Sequence, residues 1–236
     1  MALLEQKQDA VVTQDNEVIE ACYSFTLIEK RVLLLALSKI DPTKFPKAST
    51  PLKVSFDLNE WQKYYPEDNP WRTLKYASES LLGKHVTFHP KTGVVKKVNW
   101  FSSVEYHEGE GWLTMEFSRP MQVRLAGMLE QFTQINLLSV NKLTSIYSIR
   151  LYEILSQFKK TGYRVMTLKD FRFSMDCVGI YSRMCDLKRR VIDIAIREIN
   201  LKTDLTITSM QNIKRGRRIT GFKFYFKVDT QQDLFK

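Results

Sequence analysis

The sequence predicts an α+β protein in which one order of helices and strands occurs twice. Residues 21–135 and residues 136–236 each show the periodicities of a helix, a strand, two helices and two strands, in that order. A helix-turn-helix followed by a β-hairpin is the arrangement of a winged helix. The two units also share a local pattern, since Phe56-Asp-Leu-Asn-Glu-Trp61 aligns with Met166-Thr-Leu-Lys-Asp-Phe171. We therefore expect two tandem winged-helix domains.

The first unit is predicted to begin with a helix over residues 25–40, which Asp41-Pro42 ends. Three of its leucines fall outside the main apolar stripe, so it should be buried on several sides, and we expect a second copy of the chain to supply part of the cover. The other elements are a strand over 52–56, helices over 58–65 and 70–83, and strands over 85–89, 94–106 and 112–117, with turns at 90–93 and 107–111. Residues 1–20 are polar with weak periodicity and predict a mobile N-terminal arm.

The second unit repeats this order after a connection over residues 118–142. A helix over 144–160 ends at Gly162 and is followed by a strand over 163–167, helices over 168–175 and 181–200, and strands over 205–208 and 219–228. Phenylalanine and polar residues alternate along the last strand, which indicates one buried and one exposed face.

The excess positive charge of the chain is confined to its second part. The formal net charge is +10. Residues 1–135 contain 16 Lys and Arg against 17 Asp and Glu, whereas residues 136–236 contain 20 against 9. This asymmetry favours a polyanionic partner held by one domain, with a basic, well-solvated surface as the alternative.

The helix predicted over residues 181–200 carries the clearest binding pattern. Its buried stripe is expected to contain Met184, Leu187, Val191, Ile194, Ala195 and Ile199. The opposite side and its flanks carry Arg183, Asp186, Lys188, Arg189, Arg190, Asp193 and Arg197. An α-helix fits the major groove of DNA, where Arg can bind guanine O6 and N7 with two hydrogen bonds. A solvated face with intrahelical Asp–Arg pairs is the other interpretation.

The turn before the last strand places four cations around a glycine, in the sequence Lys214-Arg215-Gly216-Arg217-Arg218. Such a hairpin tip can neutralise phosphates along the DNA backbone or in the minor groove. A charged turn that only blocks pairing at a sheet edge is the alternative. The equivalent helix of the first unit offers only Arg72, Lys75 and Lys84, which predicts either a weaker second DNA contact or a structural helix.

The sequence argues against membrane and secreted proteins. The longest apolar run, residues 32–37, is too short to span a bilayer, and the N-terminus lacks the basic start and apolar core of a signal peptide. Cys22, Cys177 and Cys185 have no metal-type spacing and predict reduced thiols in a cytoplasm.

Enzymatic chemistry is not indicated either. The chain contains no GxxxxGK[ST] phosphate loop. His85, His89 and His107 lie in the less basic unit and match neither the metal pair of a rolling-circle nicking enzyme nor the catalytic set of a tyrosine recombinase. We expect no catalysis, cofactor or metal ion.

Six stretches are together similar to the replication initiator proteins of iteron-containing bacterial plasmids, the Rep family with two winged-helix domains. They are Tyr23-Ser-Phe-Thr-Leu-Ile-Glu-Lys-Arg31, Gln131-Phe-Thr-Gln134, Ile149-Arg-Leu-Tyr-Glu-Ile-Leu155, Tyr181-Ser-Arg-Met-Cys-Asp-Leu-Lys-Arg-Arg190, Glu198-Ile-Asn200 and Lys214-Arg-Gly-Arg-Arg218. They keep their order and cover nearly the whole chain beyond residue 20. The chain departs from the family at Cys185, where a proline often precedes the aspartate.

This resemblance implies that a monomer binds directly repeated double-stranded DNA sites, the iterons, at a plasmid origin, helps to open the duplex and recruits the host replication initiator and helicase. It implies that a dimer binds an inverted repeat in the operator of its own promoter and represses transcription, as part of plasmid copy control. The first domain (21–135) would hold the dimer contact and a secondary DNA contact, and the second (136–236) the main base contacts. By motif position, Arg183, Asp186 and Arg189 match the base-contacting residues of the family.

Two other functions stay open at this point. A winged-helix transcriptional repressor without a replication role would share the fold, and tandem direct repeats beside the gene would argue against it. A protein-interaction module would leave the charge of the second domain unexplained.

Overall fold

The computed structural model describes residues 11–41, 50–89, 93–126 and 132–228. The first part contains β1 (Val11–Asp15), α1 (Asn16–Glu20), α2 (Leu27–Ser38), β2 (Lys53–Asp57), α3 (Leu58–Tyr64), α4 (Pro70–Leu82), β3 (His85–Thr87), β4 (Lys97–Asn99), β5 (Phe101–His107) and β6 (Trp112–Phe117). Then follow α5 (Arg119–Ala126), β7 (Phe132–Asn136) and α6 (Leu137–Asn141). The second part contains α7 (Ile146–Ser156), β8 (Tyr163–Thr167), α8 (Leu168–Ser174), α9 (Met184–Leu187), a π-helical segment (Lys188–Ile192), α10 (Asp193–Lys202), β9 (Leu205–Arg215) and β10 (Arg218–Val228).

Two separate three-stranded sheets confirm the predicted tandem winged helices. Their strand orders are β2-β6-β5 and β8-β10-β9, so in each unit the strand before the helix-turn-helix pairs with the last strand of the hairpin. The aligned sequence patterns have the same role, since Asp57 and Thr167 each end a strand and cap the next helix with their side chains. Trp61 and Phe171, four residues further on, are both buried beneath those helices.

The expected mobile arm is wrong for residues 11–20, and residues 1–10 lie outside the described residues. β1 pairs with β7 in antiparallel register from Val11↔Asn136 to Asp15↔Phe132, and Val12, Val18 and Ile19 are buried. The predicted connection over 118–142 likewise forms α5, β7 and α6 where it is described. A strand of five residues whose partner lies more than one hundred residues away leaves little periodicity in a single segment.

The elements β1 and α6, which the sequence did not predict, also help to cover α2. Its residues 32–37 are buried, as predicted, but β1, α4 and α6 of the same chain pack against it. The expectation that a second copy supplies the cover is therefore wrong for this helix. Thr26 and Glu29 form a capping box at its start, which fixes where the helix begins.

A buried guanidinium joins the two units. Arg150 on α7 donates from Nη2 to the carbonyl oxygens of Ile19 (2.7 Å), Ala21 (2.8 Å) and Ser174 (2.8 Å), and from Nε to Ser174 (3.1 Å). Ile19 and Ala21 lie at and just beyond the end of α1, and Ser174 is the last residue of α8. One side chain thereby links the end of α1 in the first unit to the end of α8 in the second, and the Ser174 hydroxyl adds a hydrogen bond to the Glu20 carbonyl at 2.8 Å.

The same side chain belongs to a buried ion cluster. Glu153 accepts from Lys30 Nζ (2.7 Å), Gln14 Nε2 (2.9 Å), Arg150 Nη1 (3.1 Å) and the Tyr23 hydroxyl (3.3 Å). Burial, reinforced by the charge of Arg150, outweighs the attraction of Glu153 and lowers the pKa of Lys30 to about 8. Burial alone would raise the pKa of Glu153, but the charges of Lys30 and Arg150 hold it below its ordinary value.

Among the described residues, no helix combines the length and the apolar character that crossing a bilayer requires.

The two cations of the cluster should differ in their effect on stability. Arg150→Met leaves buried carbonyls without a donor and is expected to lower the free energy of unfolding by about 3–5 kcal/mol. Lys30→Met leaves Glu153 with its other donors and removes a charge that burial disfavours, so the loss should be about 1 kcal/mol or less. Urea unfolding at pH 7 measures both. Equal losses would show that pairing of Glu153, rather than carbonyl bridging, holds the units together.

Candidate nucleic-acid interface

The helix-turn-helix of the second unit consists of α8 and a longer helix that we call the reading helix, residues 184–202. The reading helix packs on the core through Leu187, Val191, Ile192, Ala195 and Ile199. The predicted stripe is correct except at three positions: Met184 and Ile194 are only partly buried, and Ile192 is fully buried although the prediction omitted it.

The π-helical segment explains this difference. Val191 and Ile192 are consecutive, yet both are buried. A π turn holds one residue more than an α turn, so the apolar register shifts by one residue within it and continues through Ala195 and Ile199. The sequence gives no signal for such an insertion. The wide turn contains Arg189 and Arg190 and directs both side chains to solvent.

The predicted DNA-contacting side chains of the reading helix lie on its solvent side. Arg183, Arg190 and Arg197 are exposed and Lys188 is half-buried, and within the described ranges none of the four forms an ion pair. Arg189, whose side chain is 71% exposed, donates from Nη2 to Asp186 Oδ1 at 3.1 Å. The intrahelical Asp–Arg pair considered for this face is therefore present once, and the other cations are available to an external anion.

The basic turn forms the tip of the hairpin made by β9 and β10, which we call the wing. β9 extends to Arg215, not to residue 208 as predicted, because its outer half is exposed on both faces and shows no alternation. Arg215 pairs with Arg218 across the tip, and Gly216 takes the left-handed conformation with φ 61° that closes the turn. All four cations of the turn are exposed, and in the part of the chain that the structure describes none has an acidic partner.

The corresponding helix of the first unit, α4, has fewer available cations. Arg72 is exposed, with its guanidinium carbon 5.6 Å from the centre of the Tyr76 ring. Lys75 is paired with Glu108 in the turn between β5 and β6, and Lys84 lies 3.6 Å from Glu29. Arg72 and Lys75 therefore lie on the same helix, but Lys75 is already paired with Glu108 of the same unit.

Two of the three histidines, His89 and His107, contribute to packing, whereas His85 is exposed. The rings of His107 and Trp112 stack with centres 3.4 Å apart, and those of His89 and Phe173 lie 4.2 Å apart. The three cysteines are free thiols, and Cys185 is exposed in the first turn of α9. Over residues 11–41, 50–89, 93–126 and 132–228 no group of three or more His, Cys, Asp or Glu is arranged to hold a metal ion.

Two winged helices, the second with a cationic helix and a cationic hairpin, define a winged-helix DNA-binding protein. Residues 11–156 match the family model described as "Initiator Replication protein, WH1", and residues 167–226 match "Initiator Rep protein, WH2". The chain therefore belongs to the initiator replication protein family, which confirms the resemblance noted in the sequence.

Individual relatives agree with this assignment. An Escherichia coli protein described as an uncharacterized 27.6 kDa protein is 30% identical over 210 residues, which cover 82% of this chain and 86% of the relative. An Escherichia coli replication initiation protein is 24% identical over 234 residues, covering 96% of this chain and 72% of the relative. The fold is similar to the crystal structure of Pi initiator protein in complex with iteron DNA, with a TM-score of 0.78 and 20% identity, covering 94% of this chain and 98% of that chain.

The boundary between the domains depends on the helix α7. The match to the first domain ends at residue 156, which places α7 in that domain, whereas the sequence pattern placed the boundary after residue 135. In the structure α7 contacts α1 and β7 on one side and α10 on the other. It is shared by both units, so the boundary at residue 135 stays a prediction.

Binding of DNA should depend steeply on salt. About 6–8 phosphate contacts predict a slope of log K against log salt of about −5 to −7, and each wing cation removed should reduce the slope by about 0.9. The double variant Lys214→Ala/Arg218→Ala therefore loses about two units of slope in a filter-binding series. Lys53→Ala, which removes a first-unit lysine paired with Glu105, is the control and should leave the slope unchanged. A flat response of the wild type would contradict the electrostatic account.

Proposed function

We propose that this protein initiates plasmid replication by binding directly repeated double-stranded sites, the iterons, at a plasmid origin in the bacterial cytoplasm. The observation that carries the proposal is the set of exposed, mostly unpaired cations on the reading helix and wing of the second winged helix. Membership of the initiator family and a fold similar to Pi initiator, whose structure contains iteron DNA, support the same conclusion.

Within this proposal the side chains divide into two groups. Arg183, Asp186 and Arg189 face base edges in the major groove, and the carboxylate of Asp186, 3.1 Å from Arg189 Nη2, orients the Arg189 guanidinium. The remaining cations contact phosphates and fix the register of the protein on the duplex; they are Lys188, Arg190, Arg197, Lys214, Arg215, Arg217 and Arg218. Arg72 and Lys75 provide a weaker second contact from the first unit, for which Lys75 must leave Glu108.

The state of association decides which DNA is bound. A monomer occupies the direct repeats, helps to open the duplex and recruits the host replication initiator and helicase. A dimer formed through the first unit binds an inverted repeat, the operator of its own promoter, and represses transcription. A twofold dimer matches an inverted repeat because its two reading helices are related by the same symmetry as the half-sites. No catalytic step is part of this proposal.

Arg189 and Arg217 should affect binding in different ways. Arg189→Ala removes a base contact, which discriminates by about 1–3 kcal/mol, so affinity for the cognate repeat should fall about tenfold to a hundredfold while binding to scrambled DNA barely changes. Arg217→Ala removes a phosphate contact and should weaken both duplexes together, since phosphates carry no sequence information. Titration of both duplexes at one salt concentration measures the difference.

Footprinting on the DNA beside the gene identifies the cognate repeat for this comparison. Both side chains are exposed, so both variants should unfold at the wild-type urea concentration. Equal weakening of the two duplexes by Arg189→Ala would show that Arg189 holds a phosphate and that the reading helix does not lie in the groove.

The proposed exchange between states predicts a dependence on protein concentration. Sedimentation should show a monomer when the protein is dilute and a dimer when it is concentrated. The monomer should prefer a direct-repeat duplex, and the dimer an inverted-repeat duplex. If stable monomers prefer the inverted repeat, or ignore the direct repeats, the protein acts as a repressor without an initiation role.

A further inference from the structure

The segment between α8 and the reading helix is held by a single arginine of α8. Arg172 donates from Nη1 to the carbonyl oxygens of Cys177 (3.2 Å) and Ile180 (2.6 Å), and from Nη2 to that of Tyr181 (2.8 Å). Its own carbonyl accepts the amide of Cys177 at 2.9 Å. Arg172 thus contacts both ends of the segment 177–181 that connects the two helices of the helix-turn-helix.

The backbone of this turn adopts conformations that its side chains disfavour. Asp176 (φ 49°) and Tyr181 (φ 52°) are the only non-glycine residues with positive φ among those the structure describes, and Gly179 between them also has a positive φ of 78°. Left-handed conformations are costly for residues with a Cβ and persist where surrounding contacts enforce them, often at functional sites. Here those contacts are the Arg172 guanidinium and the edge-to-face packing of Tyr181 on Tyr147 at one end of the turn, and at the other the Cys22 thiol, which donates to Asp176 Oδ1 at 3.4 Å.

The first turn of the reading helix has no side-chain cap among the described residues. The residue before it, Arg183, makes no side-chain capping hydrogen bond, whereas Thr167 caps the start of α8 through its hydroxyl. The direction in which α9 leaves the turn therefore depends on the backbone of residues 177–181 together with the packing of Leu187 on the core. The arginines proposed to reach base edges, Arg183 and Arg189, follow within eight residues.

We propose that Arg172 is a positioning residue for DNA reading: its guanidinium, bound to three carbonyls of the turn, fixes the angle at which the reading helix enters the major groove. This proposal rests on the proposed function. In this proposal Arg172 acts through the turn rather than on DNA, since three of its five N–H groups already donate to carbonyls of the turn. The planar guanidinium is required because its two terminal nitrogens together reach three carbonyl oxygens. The single ammonium nitrogen of a lysine cannot reach all three.

The experiment compares Arg172→Lys with the wild type and with Arg164→Lys, a matched control. Arg164 is also half-buried and paired, with Glu20 at 2.6 Å, but lies on β8 outside the turn. Arg172→Lys should lose about tenfold or more in affinity for the cognate repeat, change binding to scrambled DNA by less than about twofold and leave the salt slope unaltered. Arg164→Lys should leave all three quantities unchanged.

Each other result for Arg172→Lys overturns the proposal. A salt slope reduced by about one unit identifies a phosphate contact, and unchanged affinity for the cognate repeat shows that the guanidinium does not position the helix. Equal losses on both duplexes show general destabilisation.

A second variant guards against a simple loss of folding. Adding Asp176→Gly to Arg172→Lys should restore part of the affinity for the cognate repeat, because glycine adopts the left-handed conformation without steric cost. No recovery would contradict the role of the strained turn.

Hydrogen exchange tests, in the absence of DNA, whether Arg172 holds the turn of residues 177–181. Arg172→Lys should accelerate exchange of the Cys177 and Ile180 amides, which donate within the turn, and not that of amides in β9. The two proposals can therefore fail separately. If the wild type does not prefer direct repeats, the proposed function fails. If hydrogen exchange is unchanged in Arg172→Lys, the positioning role of Arg172 fails whatever DNA the protein binds.

Discussion

The structure depends most on one buried side chain, Arg150. It donates to carbonyls at the end of the first unit's opening helix and at the end of α8, and it also faces Glu153. Guanidinium presents several donors in a fixed plane, so one residue of α7 can satisfy backbone groups from two other segments, the end of α1 and the end of α8. Burial of its charge is tolerated because the carboxylate and the carbonyls replace the lost water. The two winged helices are consequently joined by directional hydrogen bonds as well as by apolar packing.

The same use of arginine recurs at the reading surface, where Arg172 holds the turn before the reading helix. Together the two side chains form a continuous support: Arg150 binds Ser174, the last residue of the helix that carries Arg172, and Arg172 binds the turn that follows. A change in how the first unit sits against α7 would therefore act on the end of α8. The path of contacts from the end of α1 to the start of the reading helix thus consists of two side chains and one short helix.

The sequence predicted the repeated order, most boundaries to within a few residues and the exposed cations of the site, because these depend on local periodicity and charge. It missed β1 and β7, because each strand is stabilised by pairing with the other and the two lie more than one hundred residues apart in the sequence. It also missed Ile192, since a one-residue π insertion has no compositional signature. Arg150, Glu153 and Arg172 appeared in the sequence as ordinary polar residues within apolar helices, and only the tertiary contacts reveal that each is engaged with buried or strained backbone.

The two units differ in how they use charge rather than in how they fold. In the first unit several lysines are paired across the sheet or between elements, as in Lys53 with Glu105 and Lys75 with Glu108. Exposed pairs of this kind contribute little stability, but they cancel the field that would attract phosphate. In the second unit the cations of the reading helix and the basic turn are mostly unpaired over the described residues, the exceptions being Arg189 with Asp186 and Lys202 with Glu198. One fold, used twice, thus gives a nearly neutral unit and a basic unit, and the difference lies in how many carboxylates stand beside the cations.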